Sequence, residues 1–158
     1  MTRMTIISGA QTGVDRAALA AAIACGLDYG GAIPRGRMAE DGPIDLRYAE
    51  LTELKSDDYA VRTQRNVLDA DATLILCPGP PEGGTALTER IARTLGRPVL
   101  VVDIDNEISS TAIDRIRAWL DALAPAILNI AGPRESRYPG LYARVRGMLE
   151  KLFQELCG

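Results

Sequence analysis

Histidine is absent from all 158 residues. That removes the most frequent general base and the most frequent metal ligand, so any chemistry must rest on carboxylates, arginine, lysine, tyrosine, hydroxyls or thiols. Aromatic residues make up only 4%, with one Trp and one Phe. The core must therefore be built from Ala, Val, Ile and Leu. The three cysteines, Cys25, Cys77 and Cys157, are far apart and form no Cys-x-x-Cys pair. A disulfide framework or a structural zinc site is excluded on that spacing. No basic run stands out and the net charge is −3, which argues against a nucleic-acid partner, whose phosphates call for a basic stripe. No apolar run reaches membrane-spanning length. The opening Met1-Thr-Arg-Met-Thr-Ile-Ile-Ser is too short and too soon interrupted for a signal peptide. A cytoplasmic location without membrane contact is expected.

What is present reads as one α/β domain over residues 1–158. Hydrophobic residues at 47% and charged residues at 25% are ordinary globular values. Strand-length apolar runs at residues 4–8, 29–33, 73–77, 99–103 and 126–130 alternate with helical patterns at 14–25, 58–69, 86–95, 111–123 and 141–156. Residues 34–45 read as a long loop rich in glycine, proline and charge. Strands alternating with helices imply a parallel sheet of about five strands, covered by helices on both faces, in a Rossmann-like, flavodoxin-like arrangement. The simplest order is 2-1-3-4-5, which puts a topological switch point between the first and third strands, where ligands bind outside the carboxyl ends.

Two loops leave those strands. Gly9-Ala10-Gln11-Thr12-Gly13 runs from a strand into a helix. Glycines let backbone N–H groups approach an anion, and the helix start favours negative charge. The Gly-Lys-Ser/Thr ending of a Walker loop is missing. The plainer alternative is a turn with Thr12 or Asp15 as a cap. Gly83-Gly84-Thr85, with Thr88 one turn on, repeats the design, again with capping as the alternative. Arg62, Arg65, Asn66 and Asp69 share one helical face, either a solvated face or a pocket wall. Arg35 and Arg37 in the long loop could clamp an anion or remain surface charges. Arg134, in Gly132-Pro133-Arg134-Glu135-Ser136 after the fifth strand, suits a pocket rim or a salt-bridged turn. Asp103 and Asp105 suit a ribose, a magnesium ion or, more simply, a cap. Cys77 reads as a buried, inert thiol. Together these features point to a small anionic, phosphate-bearing ligand and to no metal site built by protein donors.

Five stretches carry a resemblance to a known family: Ile7-Ser-Gly-Ala-Gln-Thr-Gly-Val-Asp-Arg16, Gly36-Arg-Met-Ala-Glu-Asp-Gly-Pro43, Asp58-Tyr-Ala-Val-Arg62, Gly83-Gly-Thr-Ala-Leu-Thr88 and Asn129-Ile-Ala-Gly-Pro-Arg-Glu-Ser136. They resemble the family named putative molybdenum carrier proteins, and the match runs in order through nearly the whole chain. That family is similar to a wider Rossmann-like group with the lysine-decarboxylase-like proteins and the Lonely Guy phosphoribohydrolases. The resemblance implies a homo-oligomer, a dimer, with molybdenum cofactor (a pterin with a phosphate tail) or a nucleotide phosphate at the strand ends. It implies a carrier or binding protein, with a nucleoside-monophosphate phosphoribohydrolase or a nucleotide sensor as alternatives. For the enzyme, Arg62 stands in the place of a functional arginine and Glu89 is the candidate carboxylate, with Glu82 and Asp15 as alternatives. The enzymes' Pro-Gly-Gly-x-Gly-Thr-x-x-Glu pattern is altered here to Pro81-Glu-Gly-Gly-Thr-Ala-Leu-Thr-Glu89. One glycine is missing, and counted from Thr85 the glutamate comes one residue late, with Thr88 in its place. A one-residue shift turns a helical side chain through roughly a quarter turn, which phosphate binding tolerates better than catalysis does.

Overall fold

The computed structural model describes residues 3–157. Fourteen segments follow one another: β1 (Thr5–Ile7), α1 (Val14–Ala24), β2 (Asp28–Ile33), a 3-10 turn (Arg35–Arg37), β3 (Met38–Ala39), β4 (Gly42–Pro43), β5 (Leu51–Glu53), α2 (Tyr59–Asp69), β6 (Ala72–Cys77), α3 (Gly83–Thr94), β7 (Val99–Asp103), α4 (Ser109–Leu123), β8 (Ile127–Ala131) and α5 (Leu141–Cys157). Six strands form one sheet in the order β5-β2-β1-β8-β6-β7, and every pairing in it is parallel. The single-domain parallel α/β architecture read from the sequence is the one observed.

Two details differ from the sequence reading. A sixth strand, β5, extends the edge beyond β2; with only Leu51 buried among its three residues, it carries almost no apolar signal. The long loop also contains the β3–β4 hairpin, paired Met38 to Pro43 and Ala39 to Gly42.

The larger correction is the strand order. The last strand, β8, lies in the middle, hydrogen-bonded to β1 on one side and β6 on the other. The expected 2-1-3-4-5 order placed it at an edge. Periodicity defines strands but carries no information on which strands are neighbours. When the strands are counted from β6, so that β6, β7, β8, β1, β2 and β5 become the first to sixth, the observed order reads 2-1-3-4-5-6 from β7 to β5. The flavodoxin-like order is thus present, with the chain cut open before β1 instead of before β6. The switch point consequently lies between β6 and β8, and the loops that leave those two strands frame it.

Alternation along the strands assigns the faces. Ile6, Leu74, Leu76, Val102, Leu128 and Ile130 point into one apolar cluster with buried residues of α1, α4 and α5. Helices α2 and α3 pack together on the opposite face, α2 against β2 and β8 and α3 against β6 and β7. The run of alanines in α1 (Ala17, Ala18, Ala21 and Ala22, all at 0% exposure) lets its backbone lie close to both sheet and α5. Phe153 and Leu149 of α5 fill the space left by the scarcity of aromatics.

Glycine is required where β8 leaves the sheet. A Cβ on Gly132 would stand 2.3 Å from the Leu76 carbonyl oxygen and 2.6 Å from Val14 Cγ2. Gly147, by contrast, is on the outside of α5 and a Cβ there meets nothing within 4 Å. We expect Gly132→Ala to lower the unfolding free energy by about 2–3 kcal/mol through overpacking against backbone. Gly147→Ala should raise it by about 0.5–1 kcal/mol through helix propensity. Urea titration of the two variants measures both, and equal effects would contradict the packing described.

Candidate functional site

A cavity of about 310 Å³ opens at the carboxyl ends of β6 and β8, a size that holds a small ligand. Its walls come from the first glycine loop (Gly9, Gln11, Asp15), α2 (Tyr59, Arg62, Asn66), the start of α3 (Gly83, Gly84, Thr85, Thr88) and the segment after β8 (Gly132, Arg134, Arg137, Tyr138).

Arg62 is the central cation. It is 8% exposed, so the face it shares with Asn66 is a buried wall and not a solvated surface. Asp58 caps α2, accepting from the Ala60 N–H at 2.9 Å, and this fixes the first turn that carries Tyr59 and Arg62. Arg62 Nη1 donates to the Gly9 carbonyl at 2.7 Å and lies 3.9 Å from Asp15 Oδ2. Its guanidinium carbon sits 5.2 Å from the Tyr59 ring centroid. A Cβ on Gly9 would fall 2.2 Å from Nη1, so glycine at this position makes room for the arginine. Asn66 is committed to structure: its side chain accepts from the Ala32 N–H at 2.7 Å and donates to the Ala32 carbonyl at 3.0 Å.

The first glycine loop is a latch more than an open cradle. Ala10 N–H donates to Ser8 Oγ, Thr12 N–H to Gln11 Oε1, and the Val14 N–H at the start of α1 to the Pro133 carbonyl. Thr12 Oγ1 donates to Glu40 at 2.7 Å and accepts from the Glu135 N–H at 3.0 Å. Gly13 has φ +80°, and a Cβ there would lie 2.3 Å from the Pro133 oxygen. Gly9 and Gln11 therefore line the cavity, while Thr12 and Gly13 pack beneath the segment after β8 and Ala10 packs with Leu19, Ile33 and Ala39. No side chain caps α1. Glu40 is the hub of the latch. Burial opposes its ionisation, but hydrogen bonds from Thr12 and Ser136 and the nearby Arg134 hold its carboxyl below the usual range.

The second glycine loop is open. Helix α3 starts at Gly83, three residues earlier than its apolar pattern suggests, and it has no side-chain cap. The Glu82 carbonyl takes the N–H groups of Thr85 and Ala86. Those of Gly83 and Gly84 have no protein acceptor among the described residues, and a Cβ on Gly84 would meet nothing within 4 Å. Thr88 Oγ1 turns back to the Gly84 carbonyl at 3.0 Å. Arg137 pairs with Glu82 beside this helix start, and a Cβ on Gly83 would lie 3.8 Å from Arg137 Nη1. Arg134 stands at the rim, 3.8 Å from Glu40 and with its guanidinium carbon 5.9 Å from the Tyr59 ring centroid.

Other candidates lie elsewhere. Arg37 spends its guanidinium on the carbonyls of Ile44, Asp45 and Tyr48, and Arg35 faces Asp57 at 3.6 Å on the surface. Neither lines the cavity. Glu89 pairs with Arg93 at 2.8 Å, one turn along α3, and does not line it either. Asp103 accepts from Gly79, Asp105 and Asn106 and organises the turns after β6 and β7. Cys77 does reach the wall, where burial pushes its thiol up to about 11, so it stays protonated. Tyr59, Arg137 and Tyr138 were missed from the sequence. Tyr59 directly precedes the helical face of Arg62, and Arg137 follows Arg134 by three residues, which were the signals available. Among the described residues, no group of three or more Cys, Asp or Glu side chains is arranged to hold a metal ion. No helix there is long and apolar enough to cross a membrane.

Asp15 is the least comfortable residue of the site. Burial pushes its carboxyl up to about 6, against the pull of Arg62 and of the Gln11 and Gly132 amides. A folded-state value above the unfolded one means that the folded state holds the proton longer. Stability contributed by this group is full below about pH 4 and is lost as pH rises through 6. Asp15→Asn removes that loss. The unfolding free energy of the variant relative to the parent should therefore rise by about 2–3 kcal/mol between pH 4 and pH 7, measured by urea titration across that range. A flat difference would show that Asp15 is not held as described.

Residues 6–153 match the model of the circularly permutated YpsA SLOG family. The permutation in that description agrees with the strand order found here. A crystal structure of a protein from Syntrophus aciditrophicus SB, named "Putative molybdenum carrier protein", is 42% identical, covers 96% of this chain and 95% of its own, and superposes with a TM-score of 0.91. No curated protein matches. With the match extending over nearly the whole chain, this protein belongs to the circularly permutated YpsA SLOG family.

Proposed function

We propose that this protein binds a small phosphate-bearing molecule, with the phosphate at the start of α3 and the remainder extending across the cavity toward Arg62. The observation that carries this reading is the pair of unpartnered N–H groups on Gly83 and Gly84. They open a twelve-residue helix, lie at the switch point between β6 and β8, and are flanked by Arg137. Helix dipole, free amides and a guanidinium converge on one oxyanion. Charged side chains on the wall are Arg62, Arg134 and Arg137 against Asp15 and Glu82, a net excess of one positive charge.

The name of the 42% identical neighbour suggests a molybdenum-containing cargo. A phosphate-bearing pterin satisfies both that name and this site. The chain's own residues would then hold the cargo through its phosphate and polar groups, because no metal-ligating cluster exists among the described residues. A nucleotide satisfies the same geometry. Binding is favoured over glycosidic cleavage because Glu89, which stands one residue past the place of the hydrolase carboxylate, is outside the cavity and paired with Arg93, while Asp15 and Glu82, which do line it, face Arg62 and Arg137.

Calorimetric titration with nucleoside monophosphates and with molybdopterin tests the reading. A phosphate monoester should bind, and Arg137→Ala should weaken it about tenfold, since that change also leaves Glu82 uncompensated beside the anion. Chromatography after prolonged incubation should reveal no free base. The absence of affinity for every phosphate ester would refute the proposal, and base release abolished by Glu89→Gln would establish the enzyme instead.

A further inference from the structure

Three polar side chains in the deep end of the cavity have work left undone. Gln11 is 5% exposed, Asp15 7% and Arg62 8%, and all three line the cavity. Gln11 Oε1 accepts from the N–H groups of Thr12 and Glu40, which fixes the amide orientation and turns Nε2 away from the latch. Among the described residues that Nε2 has no hydrogen-bond partner, and Asp15 Oδ1 has none within hydrogen-bond geometry, the Gln11 and Gly132 amides acting on the carboxyl from outside it. Arg62 uses Nε on the Tyr59 carbonyl and Nη1 on Gly9, and its Nη2 has no partner among the described residues. Two free donors and one free acceptor thus belong to side chains that line one pocket, with Arg62 Nη1 and Asp15 Oδ2 only 3.9 Å apart.

Buried polar atoms without partners are costly, and native proteins keep few of them. What completes this set is constrained by charge. Asp15 and Arg62 offset one another, so the deep end is close to neutral. A second phosphate there would meet the Asp15 carboxylate. An apolar group would leave all three atoms unpaired. A hydroxyl fits, because one oxygen can donate to Asp15 and accept from Gln11 or Arg62.

From this we infer that Asp15 and Gln11 are specificity-determining residues that select a hydroxyl-bearing phosphate ester, such as a sugar phosphate, over a hydroxyl-free one. The inference rests on the anion site proposed at the start of α3, which holds the phosphate while the deep end reads the hydroxyl. Besides offering Nη2 to the hydroxyl, Arg62 holds the Gly9 carbonyl and faces Asp15.

The test compares ribose 5-phosphate with cyclopentylmethyl phosphate, a ring of similar size without hydroxyls, by calorimetry on the full chain. Ribose 5-phosphate should bind at least about tenfold tighter, as expected for hydrogen bonds to charged partners. In Asp15→Ala and in Gln11→Ala that ratio should fall to about twofold or less. The ratio is the readout because a structural role would lower both affinities together. Equal binding of the two esters by the parent protein overturns the inference while leaving the anion site standing, and means that water alone completes the set. A preference that survives both substitutions overturns it as well. If neither ester binds, the anion site itself fails. The parent comparison requires no variant, so misfolding of Asp15→Ala leaves the test intact.

Discussion

The two halves of the sheet are joined only through β8, which is paired with β1 on one edge and β6 on the other. Its seat is prepared by Asp71, just before β6. The Asp71 carboxylate accepts the N–H groups of Ala126 and Ile127 at 3.0 and 2.9 Å, and its own N–H donates to the Ile127 carbonyl at 2.9 Å. One acidic residue thereby sets the register at which the last strand enters. Until β8 docks, β1 with α1 has no strand neighbour on that side. The contacts that close the core are consequently between distant parts of the chain, and topology of this kind delays the closing step. Helix α5, which follows β8, then packs along α1 and completes the shared apolar cluster.

Everything that makes the cavity follows from this central strand. The segment leaving β8 must pass over the first glycine loop, because β1 is its neighbour, and must face the start of α3, because β6 is its other neighbour. It meets the first loop through Thr12, Glu40 and Ser136 and faces the second across the Arg137–Glu82 pair. One loop is sealed against it and the other left open. Had β8 been at the sheet edge, the two glycine loops would have stood side by side as equivalents. The difference between latch and cradle is topological in origin, although the two sequences look alike.

The elements were legible in the sequence because apolar periodicity survives without tertiary information. The buried Leu-Ile-Leu run of β6 and the spacing of Leu141, Val145, Leu149, Leu152 and Leu156 in α5 declare themselves. Strand order did not, since neighbours in a sheet leave no mark on periodicity. Side-chain commitments were equally hidden. Arg37 looked as available as Arg62, yet three backbone carbonyls absorb it, whereas Arg62 keeps Nη2 free. Glu89 matched a catalytic pattern to within one residue, and that residue is enough to turn it toward Arg93. The helical face of Arg62 and Asn66 was visible as spacing. Its burial depended on α2 lying over β2 and β8, which only the fold determines.

Asp15 shows why stability and site must be weighed together. An alanine or asparagine at this position of α1 would relieve a buried carboxylate whose pKa is pushed up to about 6, on a helix that apart from Arg16 is otherwise apolar. Four buried side-chain atoms lack partners among the described residues. Two of these, on Glu107 and Arg117, belong to groups already in ion pairs with Arg115 and Glu155. The other two, on Gln11 and Asp15, share a cavity wall with no ion pair to account for Gln11 and only a long one for Asp15. A fold optimised for stability alone would have filled or neutralised that wall. Local departures from polar satisfaction concentrate where a protein meets its ligand, and here the departure has a direction: two donors and one acceptor, nearly neutral in sum, behind a cationic mouth. A ligand with a charged head and a neutral polar body matches that gradient, because only its charged end gains from Arg137 and the α3 dipole, and only its neutral end escapes repulsion by Asp15.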